Sequence, residues 1–178
     1  GVRIHCTVIP TEYKEVCSTL PQLLKIEKPD AVLMFGLAGN TPFIRIETRA
    51  QNVASSVYPD VVGEKIERHS LIAGAPQMLH VRAPTQRLLH AARCSGANAE
   101  LSVDAGRYIC NAAFFQCLDM ARQGGHPQLV TFVHIPWPRG RNRRKTGRRD
   151  LRPKMETLVR AGEAILLALI SSLGTKRA

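Results

Sequence analysis

An α/β fold is predicted, a three-layer αβα sandwich around a mixed, largely parallel twisted sheet. Two observations predict it. Short apolar runs alternate along the chain with segments of helical periodicity, as strands joined by crossover helices do. The runs Ala31–Phe35 and Leu129–Ile135 are apolar almost throughout, which suits strands covered on both faces.

Taken in order, Val2–Ile9 reads as a strand of β-branched residues closed by Pro10. Thr11 stands where an N-cap belongs, and Tyr13, Val16, Leu20, Leu23 and Leu24 recur at helical spacing over Glu12–Glu27. Pro21 kinks or splits that helix. Lys28-Pro29-Asp30 is a turn, Ala31–Phe35 a buried strand, and Gly36–Asn40 a glycine-containing turn after it. Phe43–Glu47 alternates as a strand. Asn52–Pro76 is weakly patterned and reads as an ordered loop region with short strands, with a further strand at His80–Arg82. A helix over Pro84–Cys94 ends at Gly96, followed by a strand at Ala99–Val103. Ala105–Gln123 is a helix capped by Asp104 and stopped by Gly124-Gly125. Leu129–Ile135 is a strand ended by Pro136-Trp137-Pro138. The last helix covers Pro153–Leu173, with Leu158, Ala161, Ala164, Ile165, Ala168 and Leu169 as its buried stripe.

A length of 178 residues suits one domain, 1–178, and at that size about 70% of the unfolded surface is buried without disulfides or metals. The longest apolar run, Ala164–Ile170, falls far short of the ~20 residues of a membrane span. No charged stretch leading into an apolar segment and a cleavage site opens the sequence, so a cytoplasmic location is expected. The five cysteines, at 6, 17, 94, 110 and 117, form no CxxC pair, which argues against a disulfide framework or a zinc ribbon. The net charge of +11 is concentrated between Arg139 and Lys154, where nine basic residues accompany one acid, Asp150. The 139–152 part reads as an exposed basic loop.

In α/β folds, ligands sit beyond the carboxyl ends of strands, so reactive side chains just after apolar runs are the candidates. Three places qualify. Cys110 lies within the strand-to-helix junction Ser102–Asn111, near the first turns of a helix whose N-terminus can favour a thiolate. His134 sits at the end of Leu129–Ile135, where an imidazole can relay a proton. Glu47 ends Phe43–Glu47 and can orient an imidazole; it can equally pair with Arg45 or Arg49.

The segments Gly36-Leu37-Ala38-Gly39, Glu47-Thr48-Arg49-Ala50-Gln51-Asn52, Ser102–Asn111 and Phe132-Val133-His134-Ile135-Pro136, taken together, resemble the signatures of the pyroglutamyl peptidase I (pyrrolidone carboxyl peptidase) family. They occur in the family's order and at its spacing, and Ser-x-x-Ala-Gly-x-Tyr-x-Cys-Asn is the most specific among them. The resemblance covers nearly the whole chain. It implies a cytoplasmic cysteine peptidase, commonly a homotetramer, that removes N-terminal pyroglutamate (5-oxoproline) from peptides without a metal or cofactor. It further implies that Cys110 is the nucleophile, His134 the general acid/base and Glu47 the orienting acid. Tyr108, Gly36 and Leu37 would contact substrate, and the Cys110 N–H would face the oxyanion. Two departures accompany it. The family opens with a strand and a Gly-Phe-x-Pro-Phe pocket loop, and this sequence starts after that point. Val57 stands where the family often carries an arginine near the oxyanion site, leaving Arg45 or Arg49 as possible stand-ins.

Two other readings accompany this one. The basic segment 139–154 would bind nucleic-acid phosphates in a salt-dependent way. The departures at the pocket loop and Val57 are those of an inactive member of the family.

Overall fold

A computed structural model describes residues 1–66, 70–140 and 150–174. The elements are α1 (Leu20–Glu27), preceded by a π-helical turn at Glu15–Thr19; β1 (Ala31–Leu37); β2 (Ile44–Glu47); β3 (Arg49–Gln51); β4 (Met78–His80); α2 (Thr85–Cys94); β5 (Ala99–Ser102); α3 (Ile109–Gly124); β6 (Leu129–Ile135); and α4 (Met155–Gly174). The main sheet has the order β1-β6-β2-β5. β1 runs parallel to β6 and β2 parallel to β5, while β2 and β6 are antiparallel. β3 and β4 form a separate antiparallel pair.

Strand alternation assigns the two faces of the sheet. Ile44, Ile46, Leu129 and Val133 point one way and pack with Leu88, Leu89 and Ala92 of α2 and with Leu158, Ala161, Ile165 and Leu169 of α4. Val130 and Phe132 point the other way, against Phe114, Phe115, Cys117 and Leu118 of α3 and Leu20 and Leu24 of α1. Helices thus cover both faces, as the expected three layers require. α3 is buried nearly all round, consistent with its place between the sheet, α1 and the β3–β4 ribbon. Among the described residues no helix is long and apolar enough to cross a membrane.

Three local expectations are corrected. Val2–Ile9 forms no strand and is largely exposed. β-branched residues need a neighbouring ladder, and none of the described strands lies beside this segment. Arg3 and His5 instead reach Glu27, at 3.6 and 3.5 Å. Thr11 does not cap the first helix; the Tyr13 N–H donates to Oδ2 of the buried Asp60 at 3.1 Å. Asp60 Oδ1 also accepts from Val62 and Glu64, so one carboxylate fastens the 52–66 loop to the start of the first helix. Pro21 divides the helix as expected, with a π-helical turn at Glu15–Thr19 leading directly into α1. Finally, α3 begins at Ile109 rather than Ala105. Asp104 closes a tight turn onto the Gly106 N–H at 2.9 Å and caps no helix.

Residues 141–149, most of the basic stretch, lie outside the described residues. The ends of that stretch meet: the Arg139 N–H donates to the Pro153 carbonyl at 2.8 Å, and Asp150 holds Arg152 at 2.8 Å.

Phe114 is fully buried, and its ring lies 5.7 Å from that of Phe132, so it joins α3 to the site-bearing face of the sheet. Phe114→Ala is expected to lower unfolding stability by about 3–5 kcal/mol in urea titrations. Val159→Ala on the exposed side of α4 should stay within about 0.5 kcal/mol of the parent.

Candidate active site

Register builds the site. Gly36 on β1 pairs with His134 on β6, and His134 pairs with Arg45 on β2. Paired residues project to the same face, so Gly36, His134, Arg45 and, two residues on, Glu47 share the face covered by α3. The antiparallel β2–β6 pairing brings Glu47 beside the imidazole although the two are far apart in sequence.

Glu47 is completely buried and His134 nearly so. Glu47 Oε1 and His134 Nδ1 are 2.8 Å apart. A carboxylate only accepts, so this contact puts the imidazole proton on Nδ1 and leaves the Nε2 lone pair free. Arg45 completes the cluster: Nη2 lies 3.3 Å from His134 Nδ1 and Nε lies 3.4 Å from Glu47 Oε1. The alternative of a surface glutamate paired with Arg49 is excluded. Arg49 turns outward and donates to the Val103 carbonyl at 2.7 Å.

Cys110 is the second residue of α3 and is partly buried. Its Sγ lies against Gly36, where a Cβ would stand 2.9 Å from the sulfur and 2.7 Å from the Phe132 ring. Glycine is therefore required at 36 for the sulfur and the Phe132 ring to sit over the strand beside His134. The Phe132 ring backs the imidazole, with ring centroids 4.8 Å apart. Among the described residues Cys110 and His134 are not joined by a hydrogen bond in this resting geometry; such contacts often tighten only on substrate binding.

Burial pushes the Cys110 thiol up from its usual range. Its own backbone N–H and Arg45 pull it down, and Glu47 adds to the rise. The thiolate-favouring influence of the helix N-terminus, expected from position, is outweighed by desolvation. Cys117, on the same helix but fully buried, is pushed up to about 12. It serves as core.

Tyr108 precedes α3. Its ring meets Tyr13 edge-on at 5.9 Å, and its hydroxyl donates to the Pro59 carbonyl at 2.9 Å. It therefore ties the 52–66 loop to the helix that carries Cys110. Leu37, at the end of β1, is about half exposed, and Val57 is exposed at the loop surface. Asn111 is fully buried and clamps β3, accepting from the Gln51 N–H at 2.9 Å and donating to the Gln51 and Val53 carbonyls at 2.8 and 3.0 Å. Its adjacency to Cys110 in the motif was the signal for this role. Among the described residues no group of three potential ligands could hold a metal ion.

A pyrrolidone-carboxylate peptidase of Thermococcus onnurineus is 32% identical over 168 residues, covering 93% of this chain and 82% of that protein. One from Thermococcus kodakarensis is 36% identical over 129 residues, covering 72% of this chain and 63% of that protein. The chain thus aligns with less than two thirds of the latter. The pyrrolidone carboxyl peptidase structure from Thermococcus litoralis superposes with a TM-score of 0.88 at 25% identity, over 96% of this chain and 79% of that one. A mutant pyrrolidone carboxyl peptidase from Pyrococcus furiosus gives 0.86 at 26% identity, over 97% and 86%. The family model described as pyroglutamyl peptidase matches residues 1–169, nearly the full length, and the chain belongs to that family.

Proposed function

We propose that this chain is a cysteine exopeptidase that removes N-terminal pyroglutamate from peptides, with Cys110 as nucleophile, His134 as general acid/base and Glu47 as the orienting acid. The observation that carries it is the buried 2.8 Å contact between Glu47 and His134, with Cys110 Sγ set over the neighbouring strand at Gly36. With its proton held on Nδ1, His134 takes the Cys110 proton through Nε2 as sulfur attacks the pyroglutamyl carbonyl carbon. The oxyanion forms at the N-terminus of α3, where the Cys110 N–H is the donor in reach. His134 then protonates the leaving amine. Water, deprotonated by the same imidazole, cleaves the thioester and returns the proton to sulfur.

The raised thiol makes the base essential, since little thiolate exists at neutral pH without it. Pyroglutamate has no free α-amine, so recognition rests on neutral contacts to the lactam. Gly36, Leu37 and Tyr108 are the proposed neighbours of the ring, with Tyr108 acting chiefly through its hold on the 52–66 loop. A cytoplasmic location and a homotetrameric assembly follow from the family resemblance as expectations; light scattering on the purified protein tests the assembly.

Hydrolysis of a pyroglutamyl amide tests the reading, in this chain and in the longest natural form of the protein that contains it. The longest form is expected to turn over and Cys110→Ala to lose at least about 1,000-fold in kcat. An inactive longest form sinks the peptidase reading, and a fully active Cys110→Ala sinks the nucleophile.

A second test uses the close approach at Gly36. Gly36→Ala should reduce kcat/KM by about 100-fold, because the added methyl displaces Cys110 and Phe132. Unchanged kcat/KM would mean that sulfur does not act from over β1.

A further inference from the structure

The strand β2 carries two charged side chains on its site face, and only Glu47 has a role in the scheme above. Arg45 is about one quarter exposed, and its guanidinium spans the dyad, Nη2 toward His134 and Nε toward Glu47. Among the described residues Arg45 Nε and Glu47 Oε2 are both buried without a hydrogen-bond partner, so charge rather than an ideal fork holds the pair. A fully buried carboxylate is costly unless a charge of opposite sign lies close by.

We propose that Arg45 is a positioning residue of the catalytic set, one that offsets the Glu47 charge so that proton transfer from Cys110 to His134 proceeds without a net buried charge. The assignment rests on the peptidase reading for its catalytic meaning. With Glu47 ionised and Arg45 present, the neutral Cys–His pair and the thiolate–imidazolium pair both leave the cluster at zero. Without Arg45, both carry one net negative charge. That charge holds the proton on sulfur and, after transfer, on His134.

The other groups facing the site do not replace it. Tyr108 interacts with Cys110 from the turn before α3 and brings no positive charge. Glu100 on β5 pairs in register with Arg45, but it is exposed and carries the wrong sign. The influence of Arg45 on Cys110 runs in the expected direction, toward the thiolate, opposite to that of Glu47.

The test is the pH dependence of Cys110 alkylation by iodoacetamide, followed by peptide mass mapping to separate it from the exposed Cys6, Cys17 and Cys94. Arg45→Gln should raise the midpoint by about one pH unit, and Arg45→Lys should recover most of that shift. The acid limb of kcat/KM for the pyroglutamyl amide should move in the same direction. An Arg45→Gln midpoint equal to or below the parent's, or an Arg45→Lys midpoint displaced as far as that of Arg45→Gln, overturns the assignment. If Arg45→Gln does not fold, Glu47→Gln and the double Arg45→Gln/Glu47→Gln variant carry the test. The double should titrate about one unit above Glu47→Gln, and equal midpoints overturn the proposal. Alkylation needs no substrate. A longest natural form that fails to hydrolyse the amide while the midpoints shift as stated counts against the peptidase reading and supports the electrostatic hold of Arg45 on the cluster.

Discussion

The contact between Glu47 and His134 is the constraint around which this structure is arranged. A carboxylate with no solvent exposure survives only with partners, and its partners come from two antiparallel strands. One is the imidazole across the ladder, and the other is Arg45 two residues back on the same strand. The β2–β6 antiparallel step interrupts an otherwise parallel sheet. In the register it sets, Arg45 faces His134 and Glu47 faces Phe132, which places the carboxylate within reach of the ring. A slip of one residue would turn both charged side chains of β2 into the α2–α4 layer, where Ile44 and Ile46 now pack.

The same register decides where sulfur goes. Gly36 lies opposite His134 on β1, and its missing side chain leaves room for both the Cys110 sulfur and the Phe132 ring. α3 presents the cysteine in its first turn, and two devices hold that end of the helix. Asn111 fastens it to β3, and Tyr108 fastens it to Pro59. Asp60 then ties the same loop to the start of the first helix through Tyr13. Burial makes the thiol a weak acid, so the polar cluster beneath it has to supply the base.

Much of this was legible in the sequence. β6 was marked by its largely apolar run, and β1 was marked up to Phe35. The α2 and α4 helices were bounded by proline, glycine and periodicity to within two residues. Cys110, His134 and Glu47 stood out because each lies at or just beyond the end of a strand, and their order and spacing resembled one family. What sequence did not reveal depends on partners distant along the chain. Val2–Ile9 has strand composition but no neighbouring ladder. Thr11 has cap chemistry, yet a carboxylate from Asp60 takes its place. The β3–β4 ribbon is too short to leave a pattern. Arg45 read as one more charge beside Glu47, and only the β2–β6 pairing shows that it faces the imidazole.

The proton on His134 tests the central claim most directly. Long-range proton–nitrogen NMR of histidine-labelled protein at neutral pH distinguishes the two imidazole tautomers. A carboxylate 2.8 Å from Nδ1 predicts the Nδ1–H form, with Nε2 unprotonated and ready to accept the Cys110 proton. A His134 found with its proton on Nε2, and Nδ1 accepting from Arg45 instead, would contradict the account.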